Sequence, residues 1–241
     1  MNLTPVLRAE ALKVLTLRSL CGSLLALFVV TTAFSALAGS SDASDPDFDP
    51  LFTALSGVMP GQIAAIAFGA VVVSSEYQGN GIRLSLAAVP QRGRWFAAKL
   101  AVAAVPALVV GLVTALAALL AARAGLGTAA AGLTVGEQVR GVVGCGIYLM
   151  LMALFAAGLT TLFRSGVATL STLVPFILIV SFVIGDAAGT AADFLPDKAG
   201  QIVLYRTHDG TLGPWTGLAV TALWAAAALL AGFWRLRRRD A

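Results

Sequence analysis

Charge is the scarcest property of this chain. Only 12% of its 241 residues are Asp, Glu, Lys or Arg, whereas a soluble domain carries roughly a quarter to wet its outer face. Hydrophobic residues make up 59% and the mean hydropathy is +0.90. That is more apolar surface than one globular core hides, so lipid is the missing solvent. Cysteine is nearly lacking: Cys21 and Cys145 both lie inside apolar runs, where they read as small buried hydrophobes, and no disulfide framework follows. His208 is the single histidine, so no His-x-x-x-His or Glu-x-x-His metal constellation can be built. No Gly-x-x-x-x-Gly-Lys-Ser/Thr phosphate loop occurs. Ionisable residues are missing from the centres of the apolar runs, where an ion-coupled carrier would hold them; Arg140, Arg164 and Asp186 lie near the ends, within reach of water. The net charge of +4 and pI near 9.5 do not point to nucleic acid, because the basic residues flank hydrophobic runs.

What is present is long apolar runs. A helix rises about 1.5 Å per residue, so crossing a hydrocarbon core of about 30 Å takes about 20 apolar residues. Six candidates run over residues 20–38, 58–75, 100–122, 142–163, 167–184 and 215–234. The second and fifth are short, and the apolar flank 51–55 extends the second at its outer end. Alternating segments of barrel type do not occur, so every span is a helix that satisfies its own backbone. Pro106 and Pro175 fall inside the third and fifth spans, where each is expected to kink the helix. Ala36-Leu37-Ala38 has the small-residue look of a signal-peptidase site, but the run before it is too long for a signal sequence.

Six spans place both termini on one side. With that side taken as cytoplasmic, Arg123, Arg140, Lys198 and Arg206 are the exceptions among 16 basic residues, and the rest lie inside. Trp95, Trp215 and Trp234 fall at span ends, where amphipathic rings belong, while Trp224 is mid-span and is expected to pack.

Three segments between the spans carry information. Before the first, Leu3, Leu7, Ala11 and Val14 form a helical stripe, with Arg8, Lys13 and Thr16 turned away from it. This predicts an amphipathic helix lying on the inner membrane surface, with Arg8, Lys13 and Arg18 near anionic headgroups and Glu10 paired to Lys13. Residues 39–50, rich in Asp, Ser and Pro, read as a solvated loop; the glycine and terminal glutamate of a calcium loop are lacking. Residues 76–99 hold Glu76-Tyr77, a glycine turn, Ile82-Arg83, an apolar stretch with Leu84, Leu86 and Val89, then Pro90-Gln91-Arg92-Gly93-Arg94 and Lys99. A short helix with a greasy face among charges suits docking to a cytoplasmic partner, or contact with lipid.

That last pattern resembles the inner-loop signature of ABC transporter permeases of the second type: Glu-Tyr, glycines, Ile-Arg, Pro-x-Arg-x-Arg, then Ala-Lys. It departs at Asn80-Gly81, where relatives carry Gly-Thr. Upstream, Arg8-x-Glu10-x-x-Lys13-x-x-Thr16-x-Arg18-Ser19 is similar to the amphipathic helix that precedes the first span of the same family. The resemblance implies an all-α integral membrane permease with six transmembrane helices, an N-terminal interfacial helix and both termini cytoplasmic. Its segments would be an interfacial helix at 1–18, two spans over 19–75, a cytoplasmic coupling loop at 76–99, three spans over 100–184, an extracellular loop at 185–214, and a last span with basic tail at 215–241. The implied partners are a cytoplasmic ATP-binding subunit, a second permease subunit as homodimer or heterodimer, and membrane lipid. ATP and Mg would sit on the partner, with no cofactor and no catalytic or metal site on this chain. Glu76, Tyr77, Arg83, Pro90, Arg92 and Lys99 match the loop motif, with Glu10, Lys13 and Arg18 before the first span.

By their chemistry, Glu76 and Arg83 are expected to make charged contacts at the membrane boundary, while Ile82, Leu86 and Val89 supply the apolar surface pressed on the ATPase. Export, from the plasma membrane outward, follows from the resemblance; spans without fixed charges suit an amphipathic cargo such as a drug, antibiotic or lipid-like molecule. The rival expectations are a non-transporting anchor or sensor that docks a cytoplasmic partner, and an ion-coupled secondary transporter. Residues 185–214 are long for a connection. A short helix over 187–195 that caps the outer exit, or a plain solvated loop, fits them equally.

Overall fold

The computed structural model describes residues 4–40, 48–78, 81–82, 85, 91–127, 132–180, 189–207 and 210–238. Among them every regular element is helical. Helix α1 (Thr4–Thr16) is separated from α2 (Arg18–Ala38) by Leu17, whose extended backbone breaks the helix there. Helix α3 (Pro50–Leu55) starts on Asp49, whose Oδ1 accepts from the Leu51 and Phe52 amides at 2.9 and 3.0 Å, with Pro50 at the first helical position. After a turn at Ser56 and Gly57 follows α4 (Val58–Ser74). The apolar flank 51–55 does extend this crossing, as a separate helix.

Helix α5 (Arg92–Leu126) runs without interruption through Pro106, and at 35 residues it outreaches the bilayer core. Helix α6 (Val135–Phe163) begins with a reciprocal cap in which Thr134 Oγ1 accepts from the Glu137 amide and the Glu137 carboxylate accepts from the Thr134 amide. Helix α7 (Gly166–Pro175) changes at Pro175 into a wider π turn, Phe176–Val180. Proline removes a backbone donor, and the widened turn is the local answer to it. Helix α8 (Pro196–Gln201) is short, and α9 (Pro214–Arg238) closes the fold.

Helix α6 is central. It packs on α4, α5 and α9, and 67% of its most apolar stretch is buried against 22% for α2. Its small residues make this possible: a Cβ on Gly158 would lie 2.7 Å from the Ala228 backbone of α9, and one on Gly232 would lie 2.7 Å from the Gly158 oxygen. Gly141, Gly144 and Gly158 each let a different element approach closely: Leu51 and Leu55 of α3, Val203, and α9.

The outside of the bundle is greasy. Leu25, Val29, Leu37, Val109, Leu120 and Leu223 are each more than half exposed, a surface that water penalises and lipid does not. Five helical stretches, Arg18–Ala38, Pro50–Tyr77, Arg92–Leu126, Val135–Phe163 and Pro214–Arg238, are long and apolar enough to cross a membrane. The chain is a multi-pass membrane protein. The stretch Gly166–Ile179 is apolar but shorter, and residues 181–184 of the predicted fifth span lie outside those described.

Of the two expectations for the segment before α9, the short helix ahead of Pro196 is seen in its described part and the plain solvated loop is not. Helical turns stand on both sides of Pro196: a 3-10 stretch at Gly189–Phe194, then α8 and a 3-10 turn at Ile202–Leu204. The second part is not a solvated loop. Ala199, Val203 and Leu204 are fully buried, and Thr221 of α9 donates to the Pro196 carbonyl at 2.8 Å. Arg206 ties this segment to its surroundings, its amide donating to Asp49 Oδ2 at 2.6 Å and its Nε to Glu137 at 2.8 Å. Trp224 packs edge-on against Phe155 and donates to the Phe194 carbonyl at 3.0 Å. Trp215 and Trp234 are exposed at helix ends, but Trp95 is 2% exposed and belongs to a buried cluster instead of an interfacial belt.

Candidate functional site

One end of the bundle, the basic end, gathers the basic residues of α1, the start of α5 and the end of α9. There a cluster of alternating charges joins three elements. Glu10 lies on the buried side of α1 and Lys13 follows one turn later, giving an ion pair of 3.1 Å. The 3-10 turn Ser75–Tyr77 that ends α4 places Glu76 beside them, and Lys13 Nζ reaches it at 2.8 Å. Lys99, two turns into α5, donates both to Glu76 at 2.7 Å and to Glu10. Ser85 Oγ donates to the second Glu76 oxygen at 2.8 Å.

Two carboxylates and two ammonium groups balance, as a desolvated cluster must if it is to be tolerated. The Lys99 side chain is 3% exposed and those of Glu10 and Glu76 are 5%, whereas Lys13 is 40% exposed at the rim. Burial alone would lower the Lys13 pKa, but hydrogen bonds from its ammonium to Glu76 and Glu10, and their negative charges, raise it above the ordinary 10.5.

A second layer lies against this cluster. Ile82, Trp95, Phe96 and Leu236 form a buried apolar group with Tyr77 and Phe233 packed on it. Arg92 Nη1 donates to the Leu236 carbonyl at 2.7 Å, joining the start of α5 to the end of α9. Of the residues singled out from sequence, Glu10, Lys13, Glu76 and Lys99 are thus brought into one cluster, and Tyr77, Ile82 and Arg92 into the layer beside it. Arg18 is exposed at the start of α2. Arg83, Leu86, Val89 and Pro90 lie outside the described residues. The pairing of Glu10 with Lys13 is seen as expected; the charges that meet Glu76 are Lys13 and Lys99.

The 185–214 segment brings in what the apolar runs lack. Asp197 is 2% exposed; the centres of the apolar runs hold no ionisable residue, and this buried one is supplied from a connecting segment. Close by, the Tyr148 hydroxyl donates to Gln62 Oε1 and accepts from Gln201 Nε2 at 3.3 Å. Asp197, Gln62 and Gln201 line a cavity of about 330 Å³ with Phe34 and Ile177. The sequence signal for this site was a glutamine and a tyrosine inside otherwise apolar spans. Arg164 stands at the end of α6 and is partly exposed, in keeping with a residue near a span end, although its Nη2 is buried and has no partner among the described residues. Among the described residues no three His, Cys, Asp or Glu side chains come together as a metal site. No protein-family model and no curated protein matches the chain.

Proposed function

We propose that this chain is the membrane-spanning permease subunit of an ATP-driven ABC exporter, with six spans, both termini and the basic end cytoplasmic, in the plasma membrane. Helix α7 with its π turn serves as the fifth crossing, and a second permease subunit, identical or different, completes the pathway. A cytoplasmic ATP-binding subunit carries ATP and Mg and docks on residues 76–99.

One observation carries this reading. The charged residues of the two stretches that resemble the permease family meet in one buried cluster, with Lys13 and Glu76 separated by 63 residues and Glu10 and Lys99 by 89. A loop that receives force from an ATPase transmits it only if it is tied to the helices that move. Glu76 and Lys99 make that tie to α1, and Ile82 anchors the segment on Trp95 and Leu236. Their part in coupling is to hold the loop, while the residues beyond them meet the partner. The greasy bundle favours an amphipathic cargo, such as a drug, antibiotic or lipid-like molecule.

The test is co-purification of the chain with a candidate ATPase, with ATP hydrolysis measured in vesicles. Wild type is expected to bind the ATPase and raise its turnover, and E76Q to insert normally with the stimulation lost. A chain that pairs with no ATPase, or an E76Q complex with full stimulation, would sink the proposal. The buried Asp197 favours a second reading, an ion-coupled carrier. In that case the chain reconstituted alone would transport under a pH gradient, and Asp197→Asn would abolish it.

A further inference from the structure

Phe34 lies near the end of α2, and Met59 and Pro60 lie at the start of α4, so the cavity of about 330 Å³ that they line sits in the half of the bundle away from the basic end. Its volume falls in the range of small-molecule sites. The floor is polar and buried. Gln62 and Gln201, 3% and 4% exposed, both line it. Behind them Tyr148 is fully buried, and its hydroxyl joins the two, donating to Gln62 Oε1 and accepting from Gln201 Nε2 at 3.3 Å. A Cβ on Gly200 would overlap the Tyr148 ring, so this glycine lets α8 bring Gln201 against it.

A hydroxyl carries one proton, so Tyr148 holds one amide by its oxygen and the other by its nitrogen. Whichever way round the two glutamines stand, one amide N–H group and one amide oxygen are left over. Here they are Gln62 Nε2 and Gln201 Oε1. Neither has a hydrogen-bond partner among the described residues, and neither is sealed by protein, so both keep surface in the cavity their residues line. A buried donor and a buried acceptor side by side ask for a group that both accepts and donates.

The rest of the lining narrows the choice. Asp197 and Lys198 place one charge of each sign on the wall, so a head with net charge of either sign meets a like charge there. Phe34, Ile63, Ile177 and Leu178 make an apolar side, and Phe34 and Leu178 are each 54% exposed on the greasy outside of the bundle. Water alone would satisfy the floor and leave that side wet. We infer that this cavity binds an amphipathic molecule with an uncharged amide or hydroxyl head. Gln62 donates to the head's oxygen and Gln201 accepts its proton, while the apolar body lies along Ile63 and Ile177 toward the opening at Phe34 and Leu178. Taking that ligand as transported cargo rests on the permease reading. Binding itself is read on the chain alone, so a missing ATPase leaves the site standing, and a failure to bind leaves the ATPase test standing.

The full chain in dodecyl maltoside is titrated with tritiated decanamide, and matched decyl ligands compete: decanol, which donates and accepts; methyl decanoate, which only accepts; decanoate and decylammonium, which carry charge. Saturable binding of decanamide is expected, with decanol competing well and the other three at least about tenfold weaker, the effect of one lost hydrogen bond or an unmatched charge. Gln62→Leu should weaken decanamide about tenfold. Because that variant also takes the acceptor from Tyr148, Ile63→Trp serves as a second: it fills the apolar side without touching the floor and should abolish saturable binding at an unchanged melting temperature. Leu223→Trp, on the outer face of α9 at 70% exposure, should bind like wild type. The ligand series decides on wild type alone. Equal competition by all the decyl ligands, or full binding by a folded Ile63→Trp, overturns the site; preference for decylammonium or decanoate overturns the uncharged head in favour of an ion.

Discussion

Removing the Lys99 ammonium leaves the Glu10 and Glu76 carboxylates together with Lys13, itself half in water, as the remaining ammonium of the cluster. Breaking a buried pair from one side strands a charge and typically costs about 3–5 kcal/mol. Lys99→Met is therefore expected to destabilise by about that amount, read as a fall in melting temperature in detergent. Combining it with Glu10→Gln removes the stranded charge, so the double variant should recover part of the loss, with a coupling of about 1–3 kcal/mol between the two sites. Additive effects would mean that the two side chains do not share an environment. The pair Glu10–Lys13 was legible in the sequence because three residues on a helix bring side chains together. The bond from Lys99 to Glu10, 89 residues apart, was not. Nothing in local spacing encodes which lysine folds back, and only the packing of α1 against α5 settles it.

The element least legible was the segment from Pro196 to Leu204. Asp197, Lys198 and Gln201 in a short run read as solvent-facing, because local composition was the only guide. Its burial depends on distant residues. Thr221 takes the Pro196 carbonyl, Tyr148 takes Gln201, and the missing side chain at Gly217 lets Ala199 of α8 approach α9, where a Cβ would lie 3.1 Å from the Ala199 carbonyl carbon and nearer still to its oxygen. Long apolar helices, by contrast, were written in the sequence by length alone, since a bilayer asks only for about 20 apolar residues. Gly217→Val tests the packing directly. It should wedge α8 away from α9 and destabilise by about 1–3 kcal/mol, as overpacking does. A cysteine at the fully buried Val203, in a background lacking Cys21 and Cys145, should be unreactive to maleimide in the parent and reactive with Gly217→Val present. Equal protection in both would show that the segment is held by something other than this contact.

At the scale of the whole molecule, the crossing helices and the greasy outer face follow from composition, but direction rests on charge asymmetry. Twenty apolar residues insert either way up, and what biases them is the cost of carrying Lys and Arg across. Arg94, Arg235, Arg237 and Arg238 stand at the end where α5 begins and α9 finishes, while α6 begins at the other end with Glu137. The fifth crossing is the weak point of the count, because α7 is short and turns into a π segment at Pro175, and an odd number of spans would separate the termini. Three single cysteines, again without Cys21 and Cys145, test the orientation and whether both ends of the bundle's basic face lie inside. Gly136 is exposed at the start of α6 with open space for a side chain, and Arg94 is exposed at the start of α5. In intact cells a membrane-impermeant maleimide should label Gly136→Cys at once and Arg94→Cys only after permeabilisation. A third cysteine at Arg237 should behave like the one at position 94. If position 237 instead reacts from outside, the end of α9 does not share a face with the start of α5 in the membrane, the Arg92–Leu236 contact is absent there, and the basic tail cannot share a compartment with the ATPase proposed to drive the chain.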